Sequence, residues 1–269
     1  MRPIADMERA ALAGLALVLT DVDGTLTHDG RLWPPVFTAM ARLRAAGIRV
    51  AAVTGRSAGW CDHLARQWPV DGVVGEGGAF WFACDADGSR MAQRFLQPAS
   101  ERAANAARLS AVAAAVLARF PKARPASDQP YRLVDYAIDY SEDVGPLPVA
   151  EAVAMVEAFK AAQVSAAMSG SHVNAWIGTF DKLTMTRALL QQRFGLEVER
   201  DNERIAYIGD SLNDAPMFAA FGLSVGVANV RRFLDRLPAA PAYVTTAEGG
   251  AGFVEFAEAV LAARGLSTA

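Results

Sequence analysis

The sequence predicts an α/β fold: a doubly wound parallel, Rossmann-like sheet into which a smaller α+β unit is inserted. Three observations predict it. Residues 15–74 alternate apolar strand runs with helix-length segments in the order βαβαβ. From Gly75 the rhythm changes to hairpins and two longer helices, and near residue 181 the strand–helix alternation resumes. The expected division is a core of residues 1–82 and 179–269, with the insertion at 83–178.

The elements follow in order. Residues 15–20 are continuously apolar up to Thr20, as in a strand covered on both faces. Pro34-Pro35 opens a helix that Gly47 ends. Residues 48–53 form the next strand, closing in Thr54-Gly55-Arg56, and a helix over 58–68 leads to a strand at 72–74. After Gly75 we expect a turn and a hairpin strand to residue 82, and within the insertion an Ala-rich helix at 101–120, a strand at 131–140 and a helix at 148–162. A second hairpin, 164–168 with 172–177, turns at Ser169-Gly170-Ser171. The core resumes with a helix at 181–194, a strand at 204–208 ending in Gly209-Asp210, and a helix at 213–221. A strand at 223–227, a short helix at 231–237, a strand at 242–244 and a closing helix at 250–263 complete it.

Composition narrows the partners. The chain has 269 residues, 52% of them hydrophobic, and a net charge of −3 without a basic stripe, which argues against nucleic acid. Cys61 and Cys84 are too few for a disulfide framework or a zinc site and suit a reducing, cytoplasmic setting. The apolar run before Asp21 has no small-residue cleavage site and reads as a core strand. No apolar stretch approaches the ~18 residues of a membrane helix, so a soluble protein is expected. Oligomeric state is left open.

The chemistry lies in four short segments: Asp21-Val22-Asp23-Gly24-Thr25, Thr54-Gly55-Arg56, Lys182, and Gly209-Asp210-Ser211-Leu212-Asn213-Asp214. Three follow predicted core strands, whose carboxyl ends are where open α/β sheets bind ligands. Two carboxylates two residues apart repel unless a cation or a proton-transfer task keeps them together. Phosphoryl transfer supplies both reasons. It needs an in-line nucleophile, which Asp21 can be, and an acid/base beside the leaving oxygen, which Asp23 can be. Thr54 can donate to a phosphate oxygen, and Lys182 offers a compact positive charge. Asp210 completes an oxygen set for Mg²⁺, and Asp214 orients that shell or holds Lys182. Arg56 either aids the site or lies on its rim.

These segments, in this order, resemble the haloacid dehalogenase superfamily of phosphatases. The resemblance spans residues 14–82 and 179–264. It implies Asp21 as nucleophile, Asp23 as acid/base, and Thr54 and Lys182 as phosphate ligands. It implies Mg²⁺ held by Asp21, the Asp23 main-chain oxygen and Asp210, with Gly55, Asn213 and Asp214 in support. The insertion resembles the large α+β cap of the branch holding sucrose-phosphate phosphatase, mannosyl-3-phosphoglycerate phosphatase and the Cof-type sugar phosphatases. The usual Glu-Asn-Gly before that cap stands here as Glu76-Gly77-Gly78. The implied activity is hydrolysis of a small phosphorylated metabolite, a sugar phosphate or glycosyl phosphoglycerate, through an aspartyl-phosphate. The alternatives are a phosphomannomutase-like phosphotransferase on the same scaffold and, more remotely, a phospho-acceptor signalling module. In the cap, Ser169, Ser171, His172 and Asn174 are candidates for sugar hydroxyls or form an ordinary polar turn, and Arg132 is a candidate for an anionic substrate group.

Overall fold

A computed structural model of the protein describes residues 1–85 and 88–266. In chain order its elements are β1 (Arg2–Pro3), α1 (Arg9–Ala13), β2 (Leu17–Thr20), β3 (Thr27–His28), β4 (Arg31–Leu32), α2 (Pro34–Ala45), β5 (Arg49–Val53), α3 (Ala58–Gln67), β6 (Gly72–Gly75), β7 (Phe80–Cys84), β8 (Met91–Phe95) and α4 (Ala99–Arg119). There follow β9 (Arg124–Pro125), β10 (Tyr136–Asp139), α5 (Val149–Ala161), β11 (Ser165–Met168), β12 (His172–Trp176), α6 (Lys182–Leu189), α7 (Val198–Asp201), β13 (Ile205–Gly209), α8 (Ala215–Ala220), β14 (Leu223–Gly226), β15 (Tyr243–Val244) and α9 (Gly249–Ala263).

The large sheet has the order β1-β15-β14-β13-β2-β5-β6-β7-β8 and is parallel from β1 through β6. The chain leaves β2 to build β5 and β6 on one side. It returns to build β13, β14 and β15 on the other, so the strand order reverses between β2 and β13. That switch point opens a crevice at the carboxyl ends of the strands.

Alternation along the strands explains why helices cover both faces. Val18, Val50, Ala52, Val73, Ala206 and Ile208 point to one face, where they meet Met40 and Leu43 of α2 and Phe253 and Phe256 of α9. Leu17, Leu19, Ala51, Val53, Val74 and Tyr207 point to the other, against Met185 and Leu189 of α6 and Met217 and Phe218 of α8. Side chains such as Leu17, Leu19 and Phe253 have no exposed surface, each worth about 1.5–3 kcal/mol of burial.

The inserted unit is a four-stranded antiparallel sheet, β11-β12-β10-β9, with α4 and α5 supplying Leu109, Val116, Met155 and Phe159 to a core of its own. The expected start of the insertion at residue 83 falls inside the large sheet. β8 pairs with β7 from Phe80↔Phe95 to Cys84↔Met91, and the rings of Phe80, Phe82 and Phe95 pack together, so the unit begins after Phe95. Residues 86–87 and 267–269 of the expected ranges lie outside the described residues.

Other elements differ locally from the sequence reading. The strand expected over 131–140 is confined to Tyr136–Asp139. Before it, the backbone N–H groups of Leu133, Val134 and Asp135 donate to the Glu76 carboxylate instead of to a neighbouring strand. The helix expected at 181–194 is α-helical to Leu189 and widens to a π turn over Leu190–Phe194. The helix expected at 231–237 is a 3-10 helix over Ala228–Arg236. β1, α1 and the small β3–β4 hairpin have no counterpart in the sequence reading. No helix among the described residues is long and apolar enough to cross a membrane.

Candidate active site

β2, β5 and β13 are neighbours, so the loops that follow them meet at one edge. Asp21 directly follows β2, Thr54 directly follows β5, and Asp210 directly follows β13. Lys182 opens α6, whose N-cap Asp181 accepts from Thr184 N at 2.8 Å. That cap fixes the first turn, and the turn puts Lys182 among the acids. Lys182 Nζ donates to Asp21 Oδ1 at 2.7 Å and to Asp214 Oδ1 at 2.7 Å. Asn213 Oδ1 lies 3.4 Å from the same ammonium and accepts from Ser211 Oγ at 2.9 Å.

Asp21, Asp210 and Asp214 each bring one carboxylate oxygen within 4.8 Å of the others. Their surroundings divide the work. Asp214 Oδ1 accepts from Lys182 and from the buried Tyr207 hydroxyl at 2.5 Å, while its Oδ2 accepts from the N–H groups of Asp210 at 2.9 Å and Ser211 at 3.0 Å. Four donors occupy that carboxylate, so Asp214 orients Lys182 and the 210–211 backbone and is not placed to bind an ion. Asp210 differs. Its Oδ2 accepts from Asn229 Nδ2 at 2.9 Å, and its Oδ1 is buried with no hydrogen-bond partner among the described residues. A buried carboxylate oxygen left bare is costly unless a cation meets it. The donor set of Asp21 and Asp210 therefore suits a hard divalent ion.

The electrostatics agree in direction. Burial pushes Asp21 up to about 7, and Asp214 and Asp23 add to the rise against the pull of Lys182. Burial first, then Asp21 and Asp214, push Asp210 well above the usual carboxylate range. Burial draws the Lys182 ammonium down, but Asp21 and then Asp214 outweigh it and its pKa is raised. Two glycines permit the crowding. Gly24 has φ +78°, and a Cβ there would lie 2.5 Å from Asp210 Oδ2. A Cβ on Gly209 would lie 2.6 Å from Asp214 Oδ2.

Asp23 stands at the mouth of the site. Both of its oxygens accept from Arg56, Nε at 2.9 Å and Nη2 at 2.8 Å. Arg56 Nη2 also donates to Glu142 Oε1 of the inserted unit at 2.8 Å. Glu142 Oε2 in turn lies 2.9 Å from His172 Nε2, within ion-pair distance but without hydrogen-bond alignment. A chamber of about 20 Å³ above Asp21 is closed by Ser169, Gly170 and His172 of the inserted unit, with Gly55 and Asn213 on the core side. Asp23 and Arg56 border both this chamber and a larger cleft of about 600 Å³, which Ser171 also lines. The Thr54 hydroxyl, fully buried, accepts from Arg56 N at 3.1 Å.

Two candidates in the insertion serve a different purpose. Arg132 does not face the cleft: its guanidinium is bound by Asp128, Asp135 and the Gly55 carbonyl, with no side-chain exposure. Asn174 borders the chamber but donates to Asp135 Oδ2 at 2.9 Å. Arg132 belongs to a joint between insertion and core, and Asn174 is shared between that joint and the chamber. Ser169 and Ser171 shape the turn: Ser169 Oγ donates to His172 O at 3.1 Å, and Ser171 Oγ lies 3.4 Å from His172 Nδ1. Three residues of the site went unread in the sequence. Asn229 ties Asp210 to the Gly24 carbonyl and accepts from Gly249 N, and Tyr207 holds Asp214. Glu142 bridges to Arg56. Asn229 follows an apolar strand by three residues, a position that could have drawn attention; a tyrosine within a buried strand and a glutamate in an acidic loop carry no such signal.

Residues 156–247 match the family described as haloacid dehalogenase-like hydrolase, a span that includes Lys182, Asp210 and Asp214. No curated protein matches the chain in sequence. Among solved structures, a haloacid dehalogenase-like hydrolase from Bacteroides thetaiotaomicron is similar at a TM-score of 0.63 and 16% identity, over 91% of this chain and 98% of that one. The Thermoplasma acidophilum 0175 structure is similar at 0.64 and 18% identity, over 94% and 99%. The sucrose-phosphatase of Synechocystis sp., solved with sucrose and phosphate, is similar at 0.58 and 19% identity, over 89% and 95%. At these identities the structural likeness establishes a shared fold.

Proposed function

We propose that this chain, whose residues 156–247 match the haloacid dehalogenase-like hydrolase family, is a Mg²⁺-dependent phosphatase of small phosphorylated metabolites of the sugar phosphate or glycosyl phosphoglycerate type. The observation that carries the reading is the convergence of Asp21, Lys182 and Asp210 at the switch point, with Asp210 Oδ1 buried and bare. The fold is one on which a sucrose-phosphatase also works.

The proposed course uses the chain's own groups. Asp21 attacks phosphorus in line with the leaving oxygen, forming an aspartyl-phosphate as the ester P–O bond breaks. Asp23 gives its proton to the leaving alkoxide. It then takes a proton from water, which attacks the phosphoenzyme and releases inorganic phosphate and free Asp21. Since Arg56 holds both Asp23 oxygens, Asp23 must turn from Arg56 toward the leaving oxygen for that transfer. Lys182 draws the Asp21 pKa down against the effect of burial and offers positive charge to the phosphoryl oxygens, and Thr54 offers its hydroxyl. Mg²⁺, which Asp21, Asp210 and the Asp23 main-chain oxygen would hold, supplies neutralisation of charge on the transferring group. A chamber of about 20 Å³ is sized for a single water, so the inserted unit must lift to admit a phosphoryl group and close again for chemistry. Cys61 and Cys84 are free thiols, in keeping with a reducing cytoplasm.

The test is phosphate release from a panel of phosphate monoesters with Mg²⁺ present and no sugar acceptor. Hydrolysis should stop on chelation. Asp21→Asn should lower turnover on the order of 10³-fold or more with unchanged circular dichroism. Near-normal turnover by Asp21→Asn removes the nucleophile assignment. Phosphate that appears only when a sugar acceptor is added makes the protein a phosphotransferase.

A further inference from the structure

The cleft of about 600 Å³ onto which Asp23 opens shares Asp23, Arg56 and Gly170 with the chamber over Asp21, so a leaving oxygen that takes its proton from Asp23 would extend its group into this cleft. It runs between the β3–β4 hairpin, the Ser141–Glu142 and Gly170–Ser171 segments of the inserted unit, and the residues from Asn229 to Phe233. Its charges are informative. Two guanidiniums line it, Arg56 and Arg232, and each already has carboxylate partners. Arg56 is bound by Asp23 and Glu142, and Arg232 Nη2 donates to Glu248 Oε2 at 2.6 Å. With Asp210 assigned to Mg²⁺, the carboxylates of Asp23, Asp29, Glu142 and Glu248 still outnumber the guanidiniums along this lining. His28 adds no unpaired partner, since its Nε2 lies 3.7 Å from Asp29 Oδ2.

Glu142 is built into place. The Asp139 carboxylate, almost wholly buried, accepts from the N–H groups of Ser141, Glu142, Asp143 and Val144 at 2.7–3.2 Å and so fixes the loop. The Tyr140 hydroxyl donates to Ser169 O at 2.6 Å and so ties that loop to the 169–171 turn. Contact with His172 first, and the Arg56 charge second, hold Glu142 down to about 2 against its partial burial. It therefore meets Arg56 as a carboxylate throughout the physiological range.

Resting on the phosphatase reading, we propose that the cleft selects phosphate monoesters whose leaving group carries no second anionic charge, and that Glu142 determines this specificity by neutralising Arg56. A carboxylate or second phosphate on the leaving group would find no unpaired cation among the residues lining the cleft and would face Glu142 and Glu248, a repulsive element that rejects the wrong substrate. The Ser141 and Ser171 side chains that border the same cleft suit the hydroxyls of a neutral polyol. Of the two substrate types proposed above, the uncharged sugar is favoured over the glycerate.

The experiment uses matched pairs on the full chain with Mg²⁺: glucose 6-phosphate against 6-phosphogluconate, and glycerol 3-phosphate against 3-phosphoglycerate. The neutral member of each pair should have the higher kcat/KM by about 10-fold or more, as like-charge juxtaposition demands. Glu142→Gln, which releases Arg56 from one partner, should narrow the ratio through a lower KM for the anionic member. Glu248→Gln should do the same through Arg232 and serves if the first variant folds poorly. An anionic member turned over as efficiently as its neutral counterpart overturns the proposal. A wild-type preference that both variants leave unchanged overturns the assignment to the paired guanidiniums. Release of phosphate from none of the four, nor from the wider panel, overturns the phosphatase reading itself, and this proposal with it.

Discussion

Asn229 shows how much one side chain organises at the residue scale. Its amide nitrogen donates to Asp210 Oδ2 at 2.9 Å and to the Gly24 carbonyl at 3.0 Å, and its oxygen accepts from Gly249 N at 3.0 Å. It therefore joins the loops after β2 and β13 and the start of α9, and it holds the Asp210 carboxylate by Oδ2 while Oδ1 stays bare. Groups that orient a metal-binding carboxylate typically matter 10–100-fold. Asn229→Ala should raise the Mg²⁺ concentration needed for half-maximal phosphate release by that ~10–100-fold factor. An activation curve that coincides with wild type would show that Asp210 keeps its aim without Asn229. Asp214 plays the matching part for Lys182, with four donors on its two oxygens.

At the scale of elements, the joint between the large sheet and the inserted unit rests on Glu76. The residue follows β6 with φ +44°, a left-handed conformation unusual for a side chain with a Cβ. Its fully buried carboxylate accepts from Ala58 N at the start of α3 and from the N–H groups of Leu133, Val134 and Asp135. The strained turn thus anchors a helix start and the segment leading into β10. Burial and the neighbouring Asp135 push the Glu76 pKa upward. Every contact to the carboxylate is nevertheless an N–H donor, which the ionised form satisfies and a protonated one does not. Glu76→Gln would turn an amide NH₂ toward those donors. It should cost about 1–3 kcal/mol, measured as a lower urea midpoint with an unchanged slope. A midpoint within error of wild type would mean that the joint does not depend on the carboxylate.

Across the whole molecule, the chain Asp23–Arg56–Glu142 runs from the core into the inserted unit and spans the entrance to the site. The Glu142 pKa falls from 4.5 to about 2 on folding. A depressed folded value means that its stabilisation is present above the unfolded value and is lost as pH falls through the folded one. The melting-temperature difference between wild type and Glu142→Gln should accordingly shrink and vanish as pH falls from 4.5 toward 2. Its size will be modest, because half-exposed ion pairs are screened by solvent. A difference independent of pH would mean that Glu142 acts through packing rather than charge. On the proposed function, any lifting of the inserted unit to admit substrate would break the Arg56–Glu142 pair.

The sequence by itself determined the parallel sheet and the chemistry at its edge. Apolar runs such as 15–20 can be satisfied only in a strand covered on both faces, and the residues after such strands fall at one edge of the sheet. Asp21, Thr54 and Asp210 could therefore be assigned to one place, and Lys182 joined them because Asp181 caps its helix. Tertiary structure alone decided which of several acids is free and which is occupied. Asp214 and Asp210 look alike in Gly209–Asp214, yet Tyr207 and Lys182 occupy one, while the other keeps a bare oxygen. It also decided that Arg132 belongs to the joint and that Glu142 reaches Arg56. Those outcomes depend on contacts between residues far apart in the chain, such as Arg56 with Glu142 and Asp210 with Asn229, and local periodicity carries no trace of such pairs.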